Sequence, residues 1–404
     1  MEQVEKQNSN MDAEYDVVVS ELVNRIHEYV VKGIGVRFID REVEAKTILY
    51  PYPYLSRGIR IGRVTVIMGP RGCGKTELAK ALTYSAMKSK RYTIIYVTHR
   101  EVKGAAKTIL EVAGLGVKEV VKNLIVRMLP DIASKIITTS TGFEIPAIMT
   151  GIDIASMLRQ LLAHKEVVIG FIDEFRGSAM EYRQELEILP NILRDLIDVD
   201  RKVKLIYLTS DTSASELCNL TGSKIDWWLT WNLPKQYFKK LYRELTPPKH
   251  IPFNLIWDIS GGNPRELIEI ASTWDIGHYV LRKIEHVRRV IEEYIREEGK
   301  PLNEVYSEVK IHVGNLDEAG FLKLWTYLRR ENIVIDVDNR FEKLTPIHET
   351  YWIGKEKAYQ IPVYYWILKT ISEQKTINIT PKQVLNTIKT AIKGNTQPLK
   401  ETKT

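Results

Sequence analysis

From Arg63 onward the chain alternates short apolar, β-branched runs with longer stretches whose apolar residues recur at helical spacing. That alternation predicts an α/β fold around a parallel sheet. Four runs, Arg63–Met68, Tyr92–Val97, Val167–Ile172 and Val203–Leu208, are apolar almost without a break, as strands buried on both faces of such a sheet are. Leu78, Leu82 and Ala86 form a helical stripe between the first two. Upstream, residues 1–16 are polar without period and predict a disordered tail, and a helix is expected from about Val17 to Val31, before Gly33 and Gly35. The stretch from Gly104 to His164 reads as a helical insertion with no recognisable motif.

Beyond Asn232, two helical blocks flank a Pro-Pro-Lys-His-Ile-Pro loop at 247–252, and Ile284, Val287, Ile291, Tyr294 and Ile295 mark a long helix. A short helix after Pro301 follows, then a helix with Phe321, Leu324, Trp325 and Leu328 on one face, then β-rich segments at Ile333–Val337 and Tyr351–Ile353. Three helices followed by a two-stranded ribbon is the order of a winged helix.

A length of 404 residues predicts two or three domains, and 44% hydrophobic with 27% charged residues excludes disordered and fibrous classes. With Cys73 and Cys218 the only cysteines, a disulfide framework and a cysteine-rich zinc site are excluded. No run of 18 apolar residues appears and the first residues are polar, so a cytoplasmic protein with no membrane partner is expected. The net charge of +7 permits a nucleic-acid partner without demanding one.

Between the first strand and its helix stands Gly69-Pro70-Arg71-Gly72-Cys73-Gly74-Lys75-Thr76, which fits G-x-x-x-x-G-K-[ST]. Its glycines let successive backbone N–H groups and a helix N-terminus converge on phosphate oxygens. Lys75 is placed for the β- and γ-phosphates of ATP, and the Thr76 hydroxyl for magnesium. The Val167–Ile172 run ends in Asp173 and Glu174, one carboxylate for the magnesium shell and one to polarise an attacking water, as in a hydrolysing nucleoside triphosphatase. After Val203–Leu208 comes Ser210, either a sensor of the γ-phosphate or a turn cap.

Three further segments complete a resemblance to the archaeal ATPase family of the STAND and AAA+ branch of P-loop NTPases. Phe38-Ile39-Asp40-Arg41-Glu42-Val43-Glu44 resembles the family's amino-terminal signature, Asp173-Glu174-Phe175 its second motif, and Gly261-Gly262-Asn263-Pro264 its lid signature. These motifs span about residues 36–275 in the family's order. The resemblance implies that Phe38, Ile39 and Arg41 lie beside the adenine, that Pro264 abuts the base, and that a winged helix follows. It also suggests Arg265 as a γ-phosphate ligand, with a plain surface arginine as the alternative, and Arg194 or Arg201 as an arginine finger supplied by a neighbouring copy. The chain departs from the family at Thr209-Ser210, where Gly-Ser is usual, and at Trp227, Trp228 and Trp231, which stand before Leu233-Pro234 where an arginine is frequent. The tryptophans are read as lid core in preference to a base-stacking or partner surface.

The expected division is a P-loop ATPase domain over 17–231, a helical lid over 232–278, a winged helix over 279–374 and a basic segment over 375–404. Lys323, Arg329 and Arg330 on the third helix, with Lys355 and Lys357 beyond the ribbon, form a candidate surface for double-stranded DNA. Asp317, Glu318 and Glu331 on the same helix oppose that reading and leave room for docking on the ATPase domain. The leading expectation is an ATP-driven switch acting on DNA; a replication initiator or an assembly scaffold, working through a second copy or another protein, are the alternatives.

Overall fold

The computed structural model describes residues 15–50, 63–102, 105–173, 179–194, 202–210, 215–221 and 225–395. Its centre is a nine-stranded sheet built from β1 (Arg63–Met68), β2 (Tyr92–Val102), β3 (Ala105–Ala113), β4 (Ile137–Thr138), β5 (Gly142–Ile145), β6 (Val167–Asp173), β7 (Lys202–Leu208), β8 (Ile225–Leu229) and β10 (Glu342–Lys343). The order is β10-β8-β1-β7-β6-β2-β3-β5-β4. From β10 to β2 all neighbours run parallel, whereas β3, β5 and β4 continue the sheet as antiparallel strands.

The expected strands appear where the apolar runs stand, but the stretch from 104 to 164 is not a helical insertion. β2 runs on past Val97 and folds back as β3, pairing Ile94 with Ala113 and Val102 with Ala105. Thr108, Ile109 and Val112 are β-branched, and the free edge of β2 gives this alanine-containing segment a ladder that outweighs alanine's helical propensity. Helices Val117–Met128 and Gly151–Leu161 flank β4 and β5. Trp227 and Trp228 belong to β8, beside the loop strand β1, and with Trp231 they are buried. Trp227 and Trp228 are sheet core rather than lid core, and Trp231 stacks on Trp352 of the C-terminal half.

The sheet's two faces carry separate cores. One is covered by helix 15–25, helix Glu42–Leu49 and the loop helix Lys75–Ser85, with Val19, Leu22, Ile48 and Leu82 buried there. Lys204 of β7 donates to the carbonyls of Thr47, Ile48 and Tyr50 at 3.2, 2.9 and 2.6 Å, so one ammonium caps the C-terminus of helix Glu42–Leu49. The other face carries Val117–Met128, Gly151–Leu161 and Ala179–Arg194, and its core continues into the C-terminal half.

Helices Lys235–Glu244, Phe253–Ser260 and Pro264–Ala271 lead into the long helix Ile276–Glu298. After it come helices Leu302–Gly314, Leu316–Ala319 and Lys323–Arg330, then β9 (Val334–Asp336). β9 pairs antiparallel with β11 (Lys357–Tyr359), not with Tyr351–Ile353. Asp317 accepts backbone N–H bonds from Lys355, Glu356 and Lys357 at 2.9–3.1 Å, which turns the chain so that the ribbon begins only after it. Between β9 and β11 the chain reaches out to place β10 against β8, pairing Glu342 with Trp228 and Lys343 with Leu229. That closes one edge of the main sheet with a piece of the C-terminal half. Helices Pro362–Gln374 and Pro381–Asn395 complete the described chain.

His312, fully buried in helix Leu302–Gly314, stacks on Trp325 at 5.9 Å, and neither ring nitrogen has a hydrogen-bond partner. Burial pushes its pKa down to about 3. The unfolded chain takes up this proton below about pH 6.5 and the folded one does not, so its contribution to stability is present above pH 6.5 and is lost as pH falls from there toward 3. We expect wild-type stability to fall with acidity more steeply than that of His312→Phe, by up to about 1.4 kcal/mol per pH unit, in denaturant titrations between pH 7 and 4. Equal slopes would show that the histidine is not the source.

Candidate active site

The loop after β1 is shaped by what crowds it. A Cβ on Gly69 would fall 2.4 Å from the Thr230 carbonyl oxygen, and one on Gly72 would fall 2.4 Å from the Arg265 Cβ. Side chains at these positions would push away the end of β8 and the first turn of helix Pro264–Ala271. Lys75 is buried and turns its ammonium onto the loop's own carbonyls, Gly69 at 2.9 Å and Pro70 at 3.1 Å, with Cys73 Sγ 3.7 Å away. Burial lowers its pKa.

Beside the loop, Thr76 Oγ1 donates to Asp173 Oδ2 at 2.7 Å, across 97 residues of chain. The order β1-β7-β6 makes this possible, because parallel strands bring the Gly69 loop, Ser210 and Asp173 to the same end of the sheet. A cleft of about 620 Å³ opens there, and its lining includes Arg71, Gly72, Gly74, Lys75, Thr76, Asp173, Ser210, Pro264 and Arg265. Nine expected site residues are thus gathered in one place. Gly69, Pro70 and Cys73 form the body of the loop behind it. Glu174 and Arg201 lie outside the described residues, as does the side chain of Arg194.

Arg41 has a different position from the expected one. Together with Phe38 and Ile39 it stays out of the cleft and is buried, and the wall on that side is made by Val31, Lys32 and Ile34. The Arg41 guanidinium donates to the Cys73 carbonyl at 2.6 Å, the Trp231 carbonyl at 2.6 Å, Thr230 Oγ1 at 3.2 Å and Glu44 Oε1 at 2.5 Å. Its backbone is left-handed, with φ of 80°. Arg41 therefore clamps the loop at Cys73 and does not line the cleft.

Three residues, Asn332 in the cleft wall and Tyr96 and Gln360 buried behind it, carry no signal in the sequence. Tyr96 of β2 donates to Asp173 Oδ2 at 2.7 Å, and burial beside that carboxylate keeps the phenol protonated, well above the usual range. Asn332, from the turn after helix Lys323–Arg330, lines the cleft with φ of 55°. Gln360, just past β11, accepts the Arg71 backbone N–H at 2.7 Å.

Four of the five cations proposed for DNA are paired with acids within the chain. Lys323 pairs with Glu298, Arg330 with Glu293 at 2.8 Å, and Arg329 and Lys357 with buried Asp336 at 3.4 and 2.7 Å. Lys355 gives its backbone N–H to Asp317. On helix Lys323–Arg330 and at Lys357, acids of neighbouring elements therefore offset the basic charge, while the Lys355 ammonium is not part of these pairs.

The electrostatics of the loop differ. The side chains of Arg71 and Arg265 make no hydrogen bond or ion pair among the described residues, and the hydrogen bonds of the Lys75 ammonium go to carbonyls and a thiol. With Lys32 in the wall, four cations line the cleft beside the N-terminus of helix Lys75–Ser85, a setting for a polyanion. Lys75→Ala should weaken ATP binding about a hundredfold, the worth of one or two charge-assisted hydrogen bonds, with circular dichroism unchanged; calorimetry that finds full affinity would remove the assignment. Arg41→Ala leaves Glu44 charged, buried and unpaired, and should destabilise the protein by about 3–5 kcal/mol in denaturant unfolding. A loss under 1 kcal/mol would show that the clamp is dispensable.

A family described as an ATPase domain predominantly from Archaea matches residues 38–270. No curated protein matches. Among solved structures, a Walker-type ATPase of Pyrococcus abyssi is similar over 82% of this chain and 96% of its own, at 16% identity and a TM-score of 0.41. The match takes in the loop, the acidic end of β6 and most of helix Pro264–Ala271, more than half of the sequence: the chain belongs to this family of ATPase domains found predominantly in Archaea, and it is an ATPase.

Proposed function

We propose that the protein is a magnesium-dependent, ATP-driven molecular switch of the AAA+/STAND type whose output is the position of its C-terminal half, a winged helix. One observation carries the reading: the loop peptide at Arg71 is held from two sides. Its N–H donates to Gln360 Oε1 at 2.7 Å, and its carbonyl accepts from Asn263 Nδ2 at 2.9 Å. Asn263 also donates to Asn232 Oδ1 at 3.0 Å, and Asn232 donates to the Gln360 carbonyl at 3.0 Å. Loop, lid and C-terminal half thus share one buried polar network, so a shift of the loop on phosphate binding must be met by all three.

The cleft supplies the chemistry. Thr76 Oγ1 and the Asp173 carboxylate are hard oxygen donors of the kind a divalent cation takes, and magnesium bound there would offset charge on the β- and γ-phosphates. Arg71, Lys75 and Arg265 bind and orient the triphosphate. Ser210, at the end of β7 between β1 and β6, stands where it would hydrogen-bond the γ-phosphate or the attacking water. Glu174, next in the chain after Asp173, is the general base that takes the water's proton. The base itself fits against Val31, Ile34, Pro264 and Ile268.

The ion pairs of Lys323, Arg329, Arg330 and Lys357 favour an intramolecular or protein-directed output over DNA contact at this helix, since phosphate would have to displace carboxylates already in place. Gln360→Leu keeps the volume and removes the acceptor. It should change basal hydrolysis several-fold, and in the wild type, but not in this variant, ATP and ADP should protect different amides across 334–361 in hydrogen exchange. Identical hydrolysis and exchange in the two proteins would refute the switch.

A further inference from the structure

Asp173 receives two hydrogen bonds on a single oxygen, both at 2.7 Å: one from the Thr76 hydroxyl and one from the Tyr96 phenol. The loop motif accounts for the first. The second comes from β2, which lies parallel beside β6 with Thr98 opposite Asp173 and Tyr96 opposite Phe171. Two residues before Thr98, Tyr96 shares its face of the sheet, and there its ring is 2% exposed. Phenylalanine would fill that space as well, so the hydroxyl is not there for packing.

A carboxylate oxygen offers two lone-pair directions. With a hydroxyl on each, Oδ2 is saturated, and among the described residues Oδ1 accepts no hydrogen bond. We infer that Tyr96 is a positioning residue for the divalent cation of the ATPase site: with Thr76 it fixes the plane of the Asp173 carboxylate and leaves Oδ1 as the oxygen turned to the cation's shell. Without the phenol the carboxylate is held by one donor and rotates about its Cβ–Cγ bond. Outer-shell partners of this type orient a metal ligand without touching the metal, and their loss typically lowers metal affinity about ten- to a hundredfold.

The inference rests on the magnesium-dependent reading of the cleft, and Tyr96→Phe tests it separately. Mn2+ is titrated into the protein–ADP complex and the free ion is followed by electron paramagnetic resonance; ADP binding is also measured in EDTA. The variant should bind metal-free ADP as the wild type does and hold Mn2+ about tenfold more weakly. Its hydrolysis should return close to the wild-type kcat at high Mg2+, with the half-maximal Mg2+ concentration raised. Unchanged Mn2+ affinity overturns the role, and so does an equal loss of metal-free ADP affinity, which would mark Tyr96 as a general support of the cleft. A wild-type protein that binds ADP but takes up no Mn2+ would instead overturn the metal reading itself.

Discussion

The loop depends on a buried guanidinium. Arg41 is 2% exposed, and a cation so desolvated is tolerable only where acceptors surround it. Its acceptors come from its own helix and from two segments distant in sequence: Glu44 in the next helical turn, Cys73 within the loop, and Thr230 and Trp231 after β8. None of these can leave without stranding the charge. The N-terminal segment, the loop and the end of β8 therefore assemble together, and the left-handed backbone at Asp40 and Arg41 aims the side chain under the loop. On the upper side the Asn263 and Gln360 amides hold the Arg71 peptide, so the loop is fixed from both directions before any nucleotide arrives.

Charge is distributed by the same logic. In the C-terminal half, buried Asp336 gathers Arg329, Arg340 and Lys357 and also accepts from Ser215, in the helix that follows β7. The ion pairs lie within the C-terminal half, and the Ser215 hydroxyl ties the cluster to the helix that follows β7. At the loop, Arg71 and Arg265 are left without carboxylates although Glu266 and Glu269 stand nearby, because Lys283 and Arg282 of the long helix already pair with those acids. A surplus of cations thus survives at the phosphate end of the cleft.

How much was legible follows from the range of each interaction. The G-x-x-x-x-G-K-T loop is contiguous because consecutive backbone amides bind phosphate, and Asp173 closes an apolar run, so both could be read directly along with the α/β class and four of the strands. The helix start at Asn263-Pro264 is likewise local, a side-chain cap followed by a proline in the first helical turn. Arg41 was legible as an important residue and not as a clamp, since its motif says nothing about which way the guanidinium turns.

By itself, then, the sequence determined the chemistry of the ATPase loop and the strand that carries its acid, whose groups lie within a few residues of one another. Only the tertiary structure decided the rest. Helix or strand for 105–113 depended on the free edge of β2, which local propensity does not register. Whether Lys323, Arg329 and Arg330 were open or paired depended on Glu298, Asp336 and Glu293, brought near by packing. Tyr96 reaches Asp173 across 77 residues and Gln360 reaches Arg71 across 289, through hydrogen bonds that act over about 3 Å in space and leave no periodic trace along the chain.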